Sequence, residues 1–289
     1  MKKLTIGLFS LLILAGVFVL ALPTIVHKAG LHPEYQGSKV TLPGKRALVI
    51  TTSHNVLAAP GETEGPATGV MASELTHPYY VFLDGGMEVD VASIRGGQIP
   101  IDPQTFNFVL KTAEDKRYLK DPIAQAKVNN SIAIADVDIE QYDILFLSGG
   151  WGAAYDLAQS AQLAIKVSES YYGDKRAVIG GVCHGVLGLV NAQDQSGELL
   201  IAGRRMTGVT DKQIKELGIE ITPLHPEAEL RRAGVLYESQ SAFRDFFATH
   251  VVVDDEQRFV TGQNQNSGLE TAHKMMQIIA GRNNSLDRD

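Results

Sequence analysis

The sequence predicts an α/β protein in which a mostly parallel β-sheet is covered by helices on both faces. Three observations favour this class: short apolar runs typical of buried strands, helical stretches that alternate with them, and glycine-rich turns where strands end. With 289 residues, 44% hydrophobic and 20% charged, the chain is long enough to bury a substantial core.

The first half of the domain supplies three predicted strands and the helices between them. The strands are the apolar run Arg46–Thr52, the alternating run Met87–Ile94 and the apolar run Tyr142–Leu147. A helix is expected from about Val70 to Leu83. A polar, mainly helical insertion then ends near Val137. Strands alternating with helices in this way indicate parallel pairing.

The second half continues the alternation and closes the domain. A helix from about Ala161 to Tyr171 precedes a buried strand that begins at Ala177. The later predicted elements are a strand near Gly234–Glu238, a hairpin of His250–Val253 with Phe259–Thr261, and a closing helix Ser267–Ile279. Ligands of such sheets bind where parallel strands end, so the strand-to-helix turns are the place to search for a site.

An apolar run at the N-terminus is separate from the domain. Residues 4–26 contain no charged residue, and Lys2-Lys3 precede them. A run of that length can cross a bilayer, so residues 1–28 are predicted to hold a single-pass membrane anchor. The positive charge before the run predicts a domain outside the cytoplasm. Val19-Leu20-Ala21 leaves cleavage of a signal segment as the alternative, which would give a secreted or periplasmic protein.

Composition and charge indicate how the rest of the chain is divided and which partners are excluded. Residues 29–44 are expected to be a polar linker, 45–281 the domain and 282–289 a frayed tail. The net charge of −7, with no basic stripe, excludes nucleic acid as a partner. A single cysteine excludes a disulfide and a cysteine-rich zinc site, and the histidines lack metal-ligand spacing, so no metal is expected.

Cys183 is the only cysteine of the chain, and it lies between two apolar runs in Gly181-Val182-Cys183-His184-Gly185. This pattern is typical of a nucleophile elbow, a sharp strand-to-helix turn with the reactive side chain at its apex. The N-terminus of the following helix is expected to favour the thiolate. A buried core cysteine is the alternative, but it would require neither the glycines nor the histidine beside it. We therefore predict that Cys183 is a nucleophile.

Neighbouring motifs could complete a catalytic site. The turn containing Gly149, Gly150 and Trp151 follows a predicted strand, and its N–H groups could stabilise an oxyanion, together with the N–H of His184. The His184 side chain could move protons, although neighbouring side chains usually diverge. Glu74 lies in an apolar stretch of the first helix of the domain. It is either exposed to solvent or directed into the site as a general acid or base.

A series of motifs in a fixed order resembles the ThiJ/PfpI superfamily, which has the class I glutamine amidotransferase-like fold. The closest resemblance is to its glyoxalase III-like heat-shock branch. The motifs are Thr52-Ser53-His54-Asn55, 69–74, His77-Pro78, 86–90, Ile101-Asp102-Pro103, 149–152, Val182-Cys183-His184-Gly185, 207–211 and 260–264. The resemblance implies a flavodoxin-like three-layer sandwich, commonly a homodimer, with Cys183 as nucleophile, Glu74 as the helix acid and His184 beside them.

The resemblance also implies an activity. In glyoxalase III-like members the cysteine adds to the aldehyde of methylglyoxal to give a hemithioacetal. The glutamate and histidine then shuttle protons so that D-lactate forms without glutathione or metal. A small reactive carbonyl compound is therefore the expected substrate, with no cofactor. A holdase chaperone and a cysteine redox sensor of the stress response are the alternatives.

The chain departs from the family pattern near the expected pocket. The position of the third acid, which orients the histidine, is occupied by Ile214; Asp211 or Glu216 could replace it. Trp151 stands where a histidine is common, and Asn264 is expected to border the pocket.

Overall fold

The structure is a computed structural model that describes the backbone of residues 2–286 and the side chains of residues 13–282. Parts of the predicted anchor and of the predicted tail therefore lie outside the described side chains. The strands are β1 (Arg46–Thr51), β2 (Glu88–Ser93), β3 (Ile132–Ala133), β4 (Ile144–Leu147), β5 (Val178–Val182), β6 (Arg205–Met206), β7 (Leu236–Tyr237), β8 (Val251–Val253) and β9 (Phe259–Gly262). The helices are α1 (Lys2–Lys28), α2 (Ala72–Asp84), α3 (Ala113–Tyr118), α4 (Pro122–Asn129), α5 (Ala153–Asp156), α6 (Ala161–Tyr172), α7 (Asp211–Leu217), α8 (Pro226–Arg232) and α9 (Gly268–Leu286).

The described strands form a 7-stranded sheet of order β3-β2-β1-β4-β5-β9-β8, in which only β8 runs antiparallel to its neighbour. Helices α2 and α9 pack against one face, and α6 and α8 against the other. The predicted α/β sandwich with a mostly parallel sheet is thus confirmed. The predicted strand near Gly234–Glu238 is only β7, which pairs with β6 in a separate two-stranded sheet.

Strands β1, β4 and β5 bring their carboxyl ends to one edge of the sheet, because they are parallel and in close register. Strand β5 fits between its neighbours because it contains Gly180 and Gly181. A Cβ atom would lie 1.7 Å from the Val260 carbonyl oxygen at the first position and 2.1 Å from the Leu147 oxygen at the second. The glycines therefore set how closely β5 packs, and with it the position of the turn that follows.

The segment 29–44 lies against the domain. Leu31 is fully buried, and the side chain of Asn266 accepts a hydrogen bond from the His32 N–H and donates one to the Gly30 carbonyl oxygen. The ring of Tyr35 stacks on His273 of α9 at 4.1 Å between centroids. These contacts hold the segment against α9 and the turn 265–267 before it. The division of the chain into linker and domain stays a prediction.

Helix α1 contradicts the predicted membrane anchor. Among the residues whose side chains are described, no helix is both long and apolar enough to cross a membrane. The prediction of a single-pass anchor through residues 4–26 is therefore wrong. The location outside the cytoplasm, anchored or secreted, was inferred from the same run and is also wrong.

Candidate active site

Cys183 occupies a sharp turn directly after β5. Its φ of 57° lies in the left-handed region, which costs a residue with a side chain about 1–3 kcal/mol and is concentrated at functional sites. The chain continues into a 3-10 helix, Cys183–Leu189. A Cβ atom at Gly185 would lie 2.1 Å from the Leu147 carbonyl oxygen, so only glycine fits there. The geometry is that of the predicted elbow.

The thiol of Cys183 is buried and neutral. Burial raises its pKa well above the usual range, and the neighbouring Glu74 carboxylate raises it further. The N–H groups of His184 and Gly150 donate toward the sulfur and lower the pKa, but by less than burial raises it. The N–H groups thus favour the thiolate as expected, but desolvation of the sulfur outweighs them, so the thiol is the resting form.

Glu74 lies in the first turn of α2 and is fully buried, which excludes the solvent-exposed alternative. The Ser148 hydroxyl donates to its carbonyl oxygen at 2.8 Å and fixes this turn against β4. Burial raises the pKa of the carboxyl to about 8, against smaller lowering effects of the Cys183 thiol and the Gly149 N–H. Neither contact has full hydrogen-bond geometry, so both carboxyl oxygens are free to meet a substrate.

His184 faces the same cysteine despite being its neighbour in the chain. Its Nδ1 lies 3.5 Å from the Cys183 sulfur, and its ring packs edge-on against Trp151 at 5.3 Å between centroids. Burial, and to a smaller extent the nearby His225, lowers the pKa of His184 to about 3. The imidazole is therefore neutral at physiological pH, and its buried Nε2 has no hydrogen-bond partner in the described residues.

The glycine turn after β4 lies directly beside the elbow. A Cβ atom at Gly149 would be 2.4 Å from Glu74 Oε2 and 2.8 Å from the His184 nitrogen. Gly150 has a φ of 95°, which brings its N–H toward the Cys183 sulfur. Two backbone donors, from Gly150 and His184, thus converge where an oxyanion on a carbon bound to sulfur would form.

The structure brings neither candidate third acid to His184. Asp211 Oδ1 lies 3.9 Å from Nδ1 of His225, while Glu216 accepts a hydrogen bond from the Asp245 N–H at 2.9 Å. The family position itself, Ile214, is buried in the apolar core. His225, at the N-terminal end of α8, is close enough to lower the pKa of His184.

The side-chain amide of Asn264 holds neighbouring segments together by hydrogen bonds. Its amide nitrogen donates to the Gln213 side chain and to the carbonyl oxygens of Asp245 and Ala248. Its Oδ1 accepts from the Asn266 N–H. The amide is fully engaged in holding the 245–248 segment, so it has no donor left for a substrate.

The fold and the site define a class of protein: an α/β sandwich with a cysteine at a strand-to-helix elbow that faces a buried carboxyl group. The chain belongs to the DJ-1/PfpI family, whose profile matches residues 66–278. The predicted superfamily is thereby confirmed.

Known proteins similar to this chain extend the comparison. Glyoxalase 3 of Candida albicans is 30% identical over 242 residues, covering 80% of this chain and 97% of that protein. A probable glutathione-independent glyoxalase of Schizosaccharomyces pombe is 26% identical over 270 residues, covering 78% and 98%.

Two crystal structures are similar over the whole domain. The Francisella tularensis Rapid Encystment Protein 24 KDa superposes with a TM-score of 0.73 at 33% identity, covering 81% of this chain and 99% of that one. Glyoxalase III from Candida albicans superposes with a TM-score of 0.72 at 28% identity, covering 81% and 97%. The resemblance to the glyoxalase III-like branch is thus confirmed.

Proposed function

We propose that the protein is a glutathione-independent glyoxalase that converts methylglyoxal and water to D-lactate, with Cys183 as the nucleophile. The observation that carries the proposal is the placement of the Cys183 thiol between the Glu74 carboxyl group and two backbone N–H donors. Relatives with glyoxalase names, matching over most of their length, support the same activity.

The first step is addition of the sulfur to the aldehyde carbon. An ionised Glu74 takes the thiol proton as the carbon–sulfur bond forms, and the aldehyde oxygen becomes an oxyanion beside the N–H groups of Gly150 and His184. Protonation of that oxygen by Glu74 gives the hemithioacetal and regenerates the carboxylate.

The second step moves a proton between the two substrate carbons. Glu74 removes the proton from the former aldehyde carbon, giving an enediolate. It returns that proton to the adjacent carbon while the hydroxyl proton on the former aldehyde carbon passes to the neighbouring oxygen, which forms a lactoyl thioester on Cys183. A carboxylate with a pKa of about 8 is a stronger base than an ordinary one, which suits removal of a proton from carbon.

The third step releases the product. Water adds to the thioester carbonyl, the carbon–sulfur bond breaks, and the thiolate takes a proton as lactate leaves. Neutral His184, with Nδ1 3.5 Å from the sulfur, can accept the proton of the attacking water and return it to sulfur. The sum is methylglyoxal plus water to lactate plus one proton, so no metal, glutathione or redox cofactor is needed.

The domain boundaries, the oligomeric state and the alternative functions also belong to the proposal. Domain boundaries at 45 and 281 and a homodimer are proposed by analogy with the family. Of the alternative functions, redox sensing is disfavoured because a thiol whose pKa is raised by burial is a poor target for oxidants.

The test is formation of D-lactate from methylglyoxal by purified protein, with no added thiol, with and without EDTA. We expect turnover that EDTA leaves unchanged and that Cys183→Ala removes. Absence of D-lactate with wild-type protein would contradict the proposed activity, and turnover by Cys183→Ala would contradict the nucleophile.

A further inference from the structure

A cavity of about 860 Å³ lies between the N-terminal segment 23–41 and helices α2, α3 and α9. None of the residues lining it is Cys183, Glu74 or His184, so it is distinct from the candidate active site. Residues 23–41 lie outside the part of the chain that matches the family, residues 66–278. The cavity is therefore built partly by a segment that the family match does not include.

Two buried histidines line this cavity. His32 is 7% exposed and His77 is 1% exposed, with ring centroids 5.5 Å apart and rings edge to face. All four ring nitrogens lack a hydrogen-bond partner in the described residues. Glu114 Oε2, at 3.6 Å from His77 Nε2, is beyond hydrogen-bond distance. Because buried polar groups in native proteins are nearly always partnered, these nitrogens point to a bound molecule.

The charges around the cavity favour an anion. Four lysine residues line it, and none of them forms an ion pair with any described carboxylate. These lysines are Lys28, Lys39, Lys111 and Lys116. A concave surface lined by unpaired charges of one sign concentrates ligands of the opposite sign.

The acidic residues of the cavity do not cancel that field. Asp84 is paired with Arg117 at 2.8 Å, and Arg117 is not among the lining residues. Burial lowers the pKa of His77 to about 3, so the neutral ring does not neutralise Glu114, and Glu34 and Glu114 stand opposite four lysines. The excess of positive charge is therefore larger than a plain count of lysines and acids suggests.

Apolar side chains complete the walls, among them Val81, Leu269 and the ring of Tyr80. We propose that this cavity binds an organic anion, a carboxylate or a phosphate ester. Its oxygens accept hydrogen bonds from His32 and His77, and its apolar part packs on Val81 and Leu269. The lysines supply long-range attraction and discriminate against neutral molecules of the same shape.

The experiment uses full-length protein labelled in its histidines, with the His32 and His77 NMR signals assigned from His32→Gln and His77→Gln. Phenyl phosphate, benzoate, inorganic phosphate and benzyl alcohol are titrated separately. We expect saturable shifts of both signals with phenyl phosphate or benzoate, weaker binding of inorganic phosphate and none of benzyl alcohol. The tighter of the two aromatic anions identifies the head group as phosphate ester or carboxylate.

Charge variants separate a built site from a non-specific effect. Lys39→Ala combined with Lys111→Ala is expected to weaken binding about tenfold, while Lys120→Ala, an exposed lysine that does not line the cavity, leaves the affinity unchanged. Absence of saturable shifts with both aromatic anions, equal binding of benzyl alcohol, or an unchanged affinity in the double variant would overturn the proposal.

Discussion

The carboxyl group of Glu74 and the thiol of Cys183 lie side by side in a buried site, and burial raises the pKa of both. The two residues come from elements 109 positions apart in the chain (183 − 74), α2 and the turn after β5. An anion on either group disfavours an anion on the other. The pair therefore rests in a neutral form and ionises when a substrate can take up the charge.

The buried carboxyl group of Glu74 is expected to cost stability. Its pKa is raised from 4.5 in the unfolded chain to about 8 in the folded protein. The contribution of the protonated carboxyl group to the free energy of unfolding is therefore fully present below pH 4.5 and is lost as the pH rises through about 8. Glu74→Gln mimics the protonated form at every pH. It should raise the free energy of unfolding at pH 7 by on the order of 3 kcal/mol while abolishing turnover.

Urea unfolding of wild type and Glu74→Gln at pH 4.5 and pH 7 measures this effect. The gain should vanish at the lower pH, and the exposed substitution Glu62→Gln serves as control. Equal stabilities at both pH values would show that the pKa of Glu74 is not raised.

The pH dependence of turnover should follow the same group. Because the proposed steps use ionised Glu74 as the base, kcat/KM should rise with increasing pH and level off above about pH 8. Initial rates of D-lactate formation between pH 5.5 and 9 provide the profile. A rate that levels off near the ordinary carboxyl value of 4.5 would contradict the role assigned to Glu74.

The glycine turn should not tolerate a side chain. Gly149→Ala places a methyl group 2.4 Å from Glu74 Oε2 and 2.8 Å from the His184 nitrogen, so the carboxyl and the elbow must separate. We expect kcat/KM to fall at least about a hundredfold, since displacements near 1 Å have effects of this size. Gly281→Ala, whose methyl group meets nothing within 4 Å, should leave kinetics unchanged. Equal kinetics of the two variants would argue against the close contact.

Neither acid suggested by the sequence should behave as a partner of His184. Asp211→Asn and Glu216→Gln are expected to keep kcat/KM within about threefold of wild type, whereas His184→Ala should lose at least about a hundredfold. Glu216→Ala should lower the melting temperature, because it removes the oxygen that accepts the Asp245 N–H. A loss in Asp211→Asn as large as that in His184→Ala would identify Asp211 as the missing acid.

Local patterns predicted the sheet and the elbow because strands and turns are encoded by neighbouring residues. The strand before Cys183 and the glycines around it were readable in this way, as was the helix that contains Glu74. Short elements such as β3 and β6, with two residues each, have no periodicity to detect. The nearness of His225 to His184 depends on how α8 packs, which no local pattern records.

Burial was the physical quantity hardest to predict. The sequence indicated a thiolate from the helix N-terminus, but desolvation of Cys183 exceeds the effect of the N–H donors. Glu74 could have been exposed or buried until α2 was placed against β4. For Asn264, the sequence showed an amide near the sheet edge, but only packing shows that its hydrogen bonds are already taken.

The most direct test of the paired action of Cys183 and Glu74 is a double-mutant cycle on D-lactate formation. Wild type, Cys183→Ala, Glu74→Gln and the double variant are compared at pH 8 for kcat/KM. If the two groups act as one unit, kcat/KM of the double variant should be no lower than that of the less active single variant. Losses that multiply, or a Glu74→Gln variant with wild-type turnover, would contradict the account.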